Sequence, residues 1–361
     1  MGGERRVAPM TNDGHASMID WDLAVNVGAR MAGQGPSVSP GEATDVVAEL
    51  RAGAETSSPL VREFTGLVAE ERTAPVLVVD RRGWLQANVD GFGALVSPLV
   101  DKLQEKKGAP SPMTRAIGSR VTGAELGLML GFLSSKVLGQ FDPFYEAPGA
   151  AGRMLLVAPN IVHVQQELGV DPHDFRLWVC LHEETHRVQF TAVPWMRDHL
   201  HGEMRKILGE IETDPAKLVA DGMKKVGDLV RGRTEGSLID MFSTPEQKQV
   251  IDRITGVMSL LEGHADVVMD GVGPEVIPSV AAIRAKFTER RKGVGVLDKL
   301  IRRLLGLDQK MAQYRDGAVF VRAAVAKVGM EGFNAVWSEP ANLPTKAEIL
   351  EPAAWLARVH G

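Results

Sequence analysis

The chain carries one cysteine, Cys180, so it can form neither an internal disulfide nor a cysteine-cluster metal site, and it suits a reducing compartment. Aromatic residues make up only 5% of it and tyrosine occurs twice, while Ala, Val, Leu and Gly are plentiful. That balance favours closely packed helices over a strand-rich sandwich. No apolar run reaches membrane-spanning length. The most lipid-like stretch, Leu126 to Leu138, is interrupted by Lys136, preceded by Glu125 and carries glycines, so it is expected to be a buried helix with close neighbours. Met1 to Asp20 lacks an apolar run of signal-peptide length, and Met1-Gly2-Gly3-Glu4-Arg5-Arg6 lacks the Ser or Thr that a myristoylation site wants at its sixth position. An excess of positive charge is missing as well. A net charge of −5 and a pI near 6.0 give no drive toward nucleic acid or anionic lipid. Together these absences point to a cytoplasmic protein with neither nucleic acid nor membrane as a partner.

What is present is ample material for a core: 361 residues, 44% of them hydrophobic and 24% charged. Residues 1–17 read as a disordered tail and residues 18–361 as one mostly helical domain. Trp21 to Met31 has a helical pattern. Ser39-Pro40-Gly41-Glu42 has the form of a capping box opening another helix, with helices continuing to about Glu71. Pro75-Val76-Leu77-Val78-Val79-Asp80 and Arg153-Met154-Leu155-Leu156-Val157-Ala158 read as strands that could pair in a small sheet. Between them lie amphipathic helices from about Val89 to Glu105 and Thr114 to Gly139, separated by Lys106-Lys107-Gly108-Ala109-Pro110. The last third alternates helices with breaks such as Gly271-Val272-Gly273-Pro274 and Ser338-Glu339-Pro340. The fold class is therefore mainly α with a small β-sheet.

The strongest chemical signal is His182-Glu183-Glu184-Thr185-His186, an H-E-x-x-H pattern. Four residues is just over one helical turn, so both imidazoles leave one face and can reach a common Zn²⁺, with Glu183 beside them. The helix is well specified. Asp171 can cap it, Pro172 suits its first position, Asp174 falls in the first turn, and it should end before Pro194. Two neutral imidazoles and a carboxylate leave zinc one position for water, whose proton Glu183 would take as general base. Glu184 points away from the pair as a solvated or salt-bridged residue, and Cys180 reads as a small core residue.

A third ligand is sought in Leu260-Leu261-Glu262-Gly263-His264-Ala265-Asp266, on a helix capped by Thr244 with Pro245 first and Gln247 third. Its apolar stripe is Val250, Ile251, Ile254, Val257, Met258, Leu261, Ala265, Val268 and Met269. Glu262 is the preferred ligand, with Asp266 accepting a hydrogen bond from a ligand histidine. His264, about 200° round the helix from Glu262, is the alternative ligand. H-E-x-x-H followed by E-x-x-x-D resembles the gluzincin arrangement. The gap from His186 is longer than is usual there and requires an insertion such as Glu203 to Val230 to be looped out. Among weaker features, Arg153 to Ala158 is either an edge strand for extended substrate or an interior strand. Tyr314 could stabilise an oxyanion. Arg290-Arg291-Lys292, Lys299, Arg302 and Arg303 flank apolar Leu297, Leu300, Ile301, Leu304 and Leu305 as an amphipathic helix.

Several segments together resemble an actinobacterial family of uncharacterised hydrolases, the type-2 zincin-like metallopeptidases, and within it a subgroup named for association with biosynthesis of a deazaflavin coenzyme. They are Ile19-Asp20-Trp21, Val79-Asp80-Arg81-Arg82-Gly83-Trp84, Val137-Leu138-Gly139-Gln140-Phe141-Asp142, Ala158-Pro159-Asn160-Ile161, the H-E-x-x-H helix, Leu261-Glu262-Gly263-His264-Ala265 and Pro352-Ala353-Ala354-Trp355-Leu356. The resemblance implies a zincin-like helical fold and a zinc hydrolase. The reading that follows is a zinc-dependent hydrolase of a peptide or small amide substrate. Its alternatives are a non-catalytic zincin-fold scaffold and a helper in coenzyme biosynthesis.

Overall fold

The computed structural model describes residues 18–69, 74–93, 111–147, 150–209, 245–292 and 307–361. The expected tail, the Lys106 to Pro110 loop, the Thr244 cap, most of the proposed insertion, and the basic helix around Lys299, Arg302 and Arg303 lie outside these residues. In chain order the described elements are α1 (Trp21–Ala32), α2 (Pro40–Thr65), β1 (Val76–Val79), α3 (81–93), α4 (Pro112–Ser134), β2 (Gly139–Ala147) and β3 (Ala150–Val157). They continue with α5 (Ala158–Leu168), α6 (Pro172–Ala192), α7 (Pro194–Gly209), α8 (Pro245–Val276), α9 (Val280–Lys292), α10 (Leu307–Phe333), α11 (Lys346–Leu350) and α12 (Pro352–His360).

The chain divides into two units. The first comprises residues 1–33 and 81–135, whose described elements are α1, α3 and α4. Asp20 caps α1 by accepting from the Leu23 amide at 2.9 Å. Gly127 and Gly131 of α4 meet the α1 backbone. A β-carbon on either would stand 2.6 Å from a carbonyl oxygen, of Ala24 and Gly28 respectively, so only glycine lets the helices approach this closely. The face of α4 bearing Leu128 is half exposed, so the expected burial of this stretch holds on one side only. Among the described residues no helix is long and apolar enough to cross a membrane.

The second unit comprises residues 34–80 and 136–361. Its axis is α6, which buries Phe175, Val179, Cys180, Leu181 and Val188 against α2, α8 and the sheet. Each such large side chain contributes roughly 1.5–3 kcal/mol by leaving water. Asp171 caps α6 as expected, accepting from the Asp174 amide at 3.0 Å. Ser39 caps α2, which runs unbroken to Thr65 rather than in pieces to Glu71, and ends on Gly66 in the left-handed region with φ 68°.

The sheet has the order β1-β3-β2, with β1 parallel and β2 antiparallel to β3. The two expected strands pair directly, Val76 to Val79 against Met154 to Val157. Of the two readings of Arg153 to Ala158, the interior one holds, because β3 lies between the other strands. The strand β2 was not foreseen. It contains Pro143 and pairs irregularly between Asp142 and Glu146, and its buried Asp142 is neutralised by Arg153 at 3.0 Å on the facing strand. The Gly271 to Pro274 break is absent: α8 continues through Pro274 to Val276. Gly263 of α8 and Gly317 of α10 touch backbone to backbone, and a β-carbon on Gly263 would lie 2.1 Å from the Gly317 carbonyl carbon. Helix α10 bends at Gly329, where φ is 72°.

Candidate metal centre

Two helices of the second unit build the site. On α6, His182 and His186 lie one turn apart and present their Nε2 atoms to each other at 3.3 Å, with the rings edge to face. On α8, Glu262 brings its carboxylate to 3.7 Å from His182 Nε2 and 3.9 Å from His186 Nε2. Among the described residues this is the one set of three or more ligand-type side chains whose donor atoms all lie within 4.8 Å of one another.

The donor set fits a divalent cation. Two nitrogens each about 2.0–2.1 Å from one tetrahedral ion stand roughly 3.3–3.4 Å apart, the spacing the two imidazoles already have. The carboxylate needs to close by only a few tenths of an ångström. Each imidazole is turned by a neighbour at its other nitrogen. His186 Nδ1 meets Gln189 Oε1 at 2.9 Å, and His182 Nδ1 meets Met269 Sδ at 3.2 Å. Two Nε2 atoms and a carboxylate converging in this way bring acceptors together, an arrangement a cation relieves.

Glu183 sits beside the ligands with its side chain buried, and the main chain of Gly139 closes against it. A β-carbon on Gly139 would lie 2.6 Å from the Glu183 carboxyl carbon. That segment is pinned on both sides. The Val157 amide donates to Leu138 O at 2.8 Å, and Asn160 Nδ2 donates to Val137 O at 2.6 Å. Burial first, and the negative charge of Glu262 second, hold the Glu183 carboxyl well above the usual carboxylate range. A cation between the ligands would act against the second of these effects.

The remaining candidates separate from the cluster. His264 is fully buried. Its Nδ1 accepts from Gln189 Nε2 at 2.9 Å, and its ring stacks on Phe333 and meets Trp337 edge on, so it does not join Glu262 at the metal. Desolvation, followed by the nearby His186, pushes it down to about 3. Asp266 was expected to accept from a ligand histidine. Instead it is ion-paired with Arg284 at 3.2 Å and Arg322 at 2.8 Å on the more exposed side of α8. Tyr314 falls on α10, and its side chain lies outside the described residues. Glu184 is salt-bridged to Arg187 through both oxygens but is buried rather than solvated. Cys180 is a core residue against Leu50 O, and burial raises its thiol, which keeps it inert.

Three contributors escaped the sequence reading: Gln189, Met269 and Gly139. Gln189 lies seven residues after His182 and Met269 seven after Glu262, each two turns along the ligand-bearing face of its helix. A polar residue at that position of a helix buried this deeply was the available signal for Gln189. Nothing local marks Gly139.

A mostly helical body with a small sheet, and a His-His-Glu cluster shared between the H-E-x-x-H helix and α8, define the class as metallopeptidase-like. The chain belongs to the zincin-like metallopeptidase family, whose model matches residues 19–356. It is also similar to a solved structure described as that of a provisionally assigned hydrolase with a novel fold from Chloroflexus aurantiacus. The identity is 32%, the TM-score 0.69, and the match covers 94% of this chain and 98% of that one. No curated protein matches the chain.

Proposed function

We propose that this protein is a zinc-dependent hydrolase of peptide or amide bonds, with His182, His186 and Glu262 as metal ligands and Glu183 as general base. The observation that carries the reading is the convergence of two imidazole nitrogens and a carboxylate from separate helices beside a buried glutamate. Family membership and the hydrolase-like structural relative support it. When bound, zinc would supply a Lewis acid and lower the pKa of water in its open position toward about 7.

The chain's own residues do the rest. His182 and His186 hold the ion through Nε2, and Glu262 contributes charge that partly neutralises it. Glu183 takes a proton from the attacking water onto its carboxylate as oxygen adds to the carbonyl carbon. It then returns the proton to the leaving nitrogen as the C–N bond breaks. Gly139 seals one side of that carboxylate and so limits where it can turn. The test is metal analysis of purified protein together with peptide-library hydrolysis, using Glu183→Gln and His186→Ala. The reading expects one zinc per wild-type chain, retained in Glu183→Gln without turnover and lost in His186→Ala. A well-folded wild-type protein that takes up no zinc ends it.

A further inference from the structure

Gln189 is fully buried, three residues beyond His186, and makes contacts whose donor and acceptor roles admit one solution. The Leu261 carbonyl oxygen can only accept, so the amide atom 2.9 Å from it is the NH₂ nitrogen. The same nitrogen stands 2.9 Å from His264 Nδ1, which takes its second hydrogen. The amide oxygen is thereby left facing His186 Nδ1 at 2.9 Å. Since that oxygen accepts, Nδ1 carries the proton of the neutral ring. His186 Nε2 is then a bare lone pair, aimed at His182 Nε2 and Glu262.

We propose that Gln189 is a positioning residue that locks His186 in its Nδ1–H tautomer and so presents Nε2 to the metal. The assignment rests on the hydrolase reading only for what the bound ion is used for. Water has no access with which to replace these bonds, and the His264 ring is itself clamped by Phe333 and Trp337. The role suits an amide better than a carboxylate. One side chain must accept from His186 and also donate to the main chain of Leu261, the residue before Glu262. Gln189 thus orients one ligand and ties down the helix that carries another.

The experiment uses full-length, metal-free protein with ¹⁵N-labelled histidine. Long-range ¹H–¹⁵N correlation reads the tautomer of His186, whose signal is identified by its absence in His186→Asn. Zinc affinity is measured in parallel by chelator competition. The expected result is a protonated Nδ1 in the wild type. Gln189→Met, which cannot accept, should lose that tautomer and bind zinc about 10–100-fold more weakly. Gln189→Glu, which keeps the acceptor but gives up donation to Leu261 O, should keep the tautomer and lose less zinc affinity than Gln189→Met. A proton on Nε2 in the wild type overturns the proposal, as does equal weakening of zinc binding in both variants, the pattern of a merely structural role. If Gln189→Met does not fold, the wild-type spectrum and Gln189→Glu decide. A protein with this tautomer and bound zinc but no hydrolysis upholds the role of Gln189 and removes the hydrolase reading.

Discussion

Gly139 and Glu183 are in contact, main chain against carboxyl, at the point where β2 begins. A methyl group at residue 139 has no room, since its carbon would stand 2.5–2.7 Å from three atoms of the glutamate side chain. Gly139→Ala should therefore turn Glu183 away from its working position while leaving both histidines untouched. A general base displaced by about 1 Å can lose on the order of 100-fold in rate. Steady-state kinetics with zinc analysis should show that loss at unchanged metal content.

Glu183→Gln should remove a general-base contribution of about 10²–10⁴ yet make the metal-free protein more stable near neutrality. The folded carboxyl is held above its ordinary value of 4.5. Between that value and the raised one the native state keeps a proton that the unfolded chain has released, so native stability falls as pH rises through this window. The amide has no such dependence. Denaturant unfolding at pH 5 and pH 8 should show the wild type losing more stability over this interval than the variant.

His264 works in the opposite direction. Its folded value of about 3 lies below the ordinary 6.5, so between these limits the unfolded chain binds a proton that the native ring refuses. This contribution is fully present above 6.5 and is lost as pH falls toward 3. His264→Phe keeps an aromatic ring against Phe333 and Trp337, and it should flatten the acid limb of the stability profile between pH 6.5 and 4. An unchanged slope would show that the ring titrates normally.

The close approach of α8 and α10 at Gly263 and Gly317 sets the position of the residue next to Glu262. Gly263→Ala places a carbon 2.1 Å from main chain, which cannot yield as a side-chain tip can. A cost of about 1–3 kcal/mol or more follows. Thermal unfolding should show a lower Tm, and zinc affinity should fall with it because Glu262 moves with its helix.

Much of this arrangement was legible in the sequence because strong local signals agree with it. Asp171, Pro172 and the apolar positions of α6 fixed that helix to within a residue, and the two short apolar runs became paired strands. The two histidines share a face of α6 as their spacing implied, and Glu262 of α8 lies beside them. Features defined by close approach rather than by pattern were hidden. Helix α8 buries Gly256, Ser259 and Gly263 as well as its apolar stripe, while Met258 of that stripe is exposed. Small residues that admit another backbone do not register as hydrophobic, so the packing against α10 gave no periodic signal. Asp266 was misplaced for a related reason: one helix cannot reveal that Arg284 and Arg322 will arrive from two others. Strand β2, with Asp142 and Pro143 in it, has neither the alternation nor the β-branched content by which strands are recognised.

The most direct test of the account is calorimetric titration of zinc into metal-free wild-type protein, with Glu262→Ala and His182→Ala alongside. The account predicts one ion bound per wild-type chain and a large loss of affinity in each variant, with the fold retained by circular dichroism. Zinc binding that is absent from folded wild-type protein, or unchanged in both variants, would contradict it.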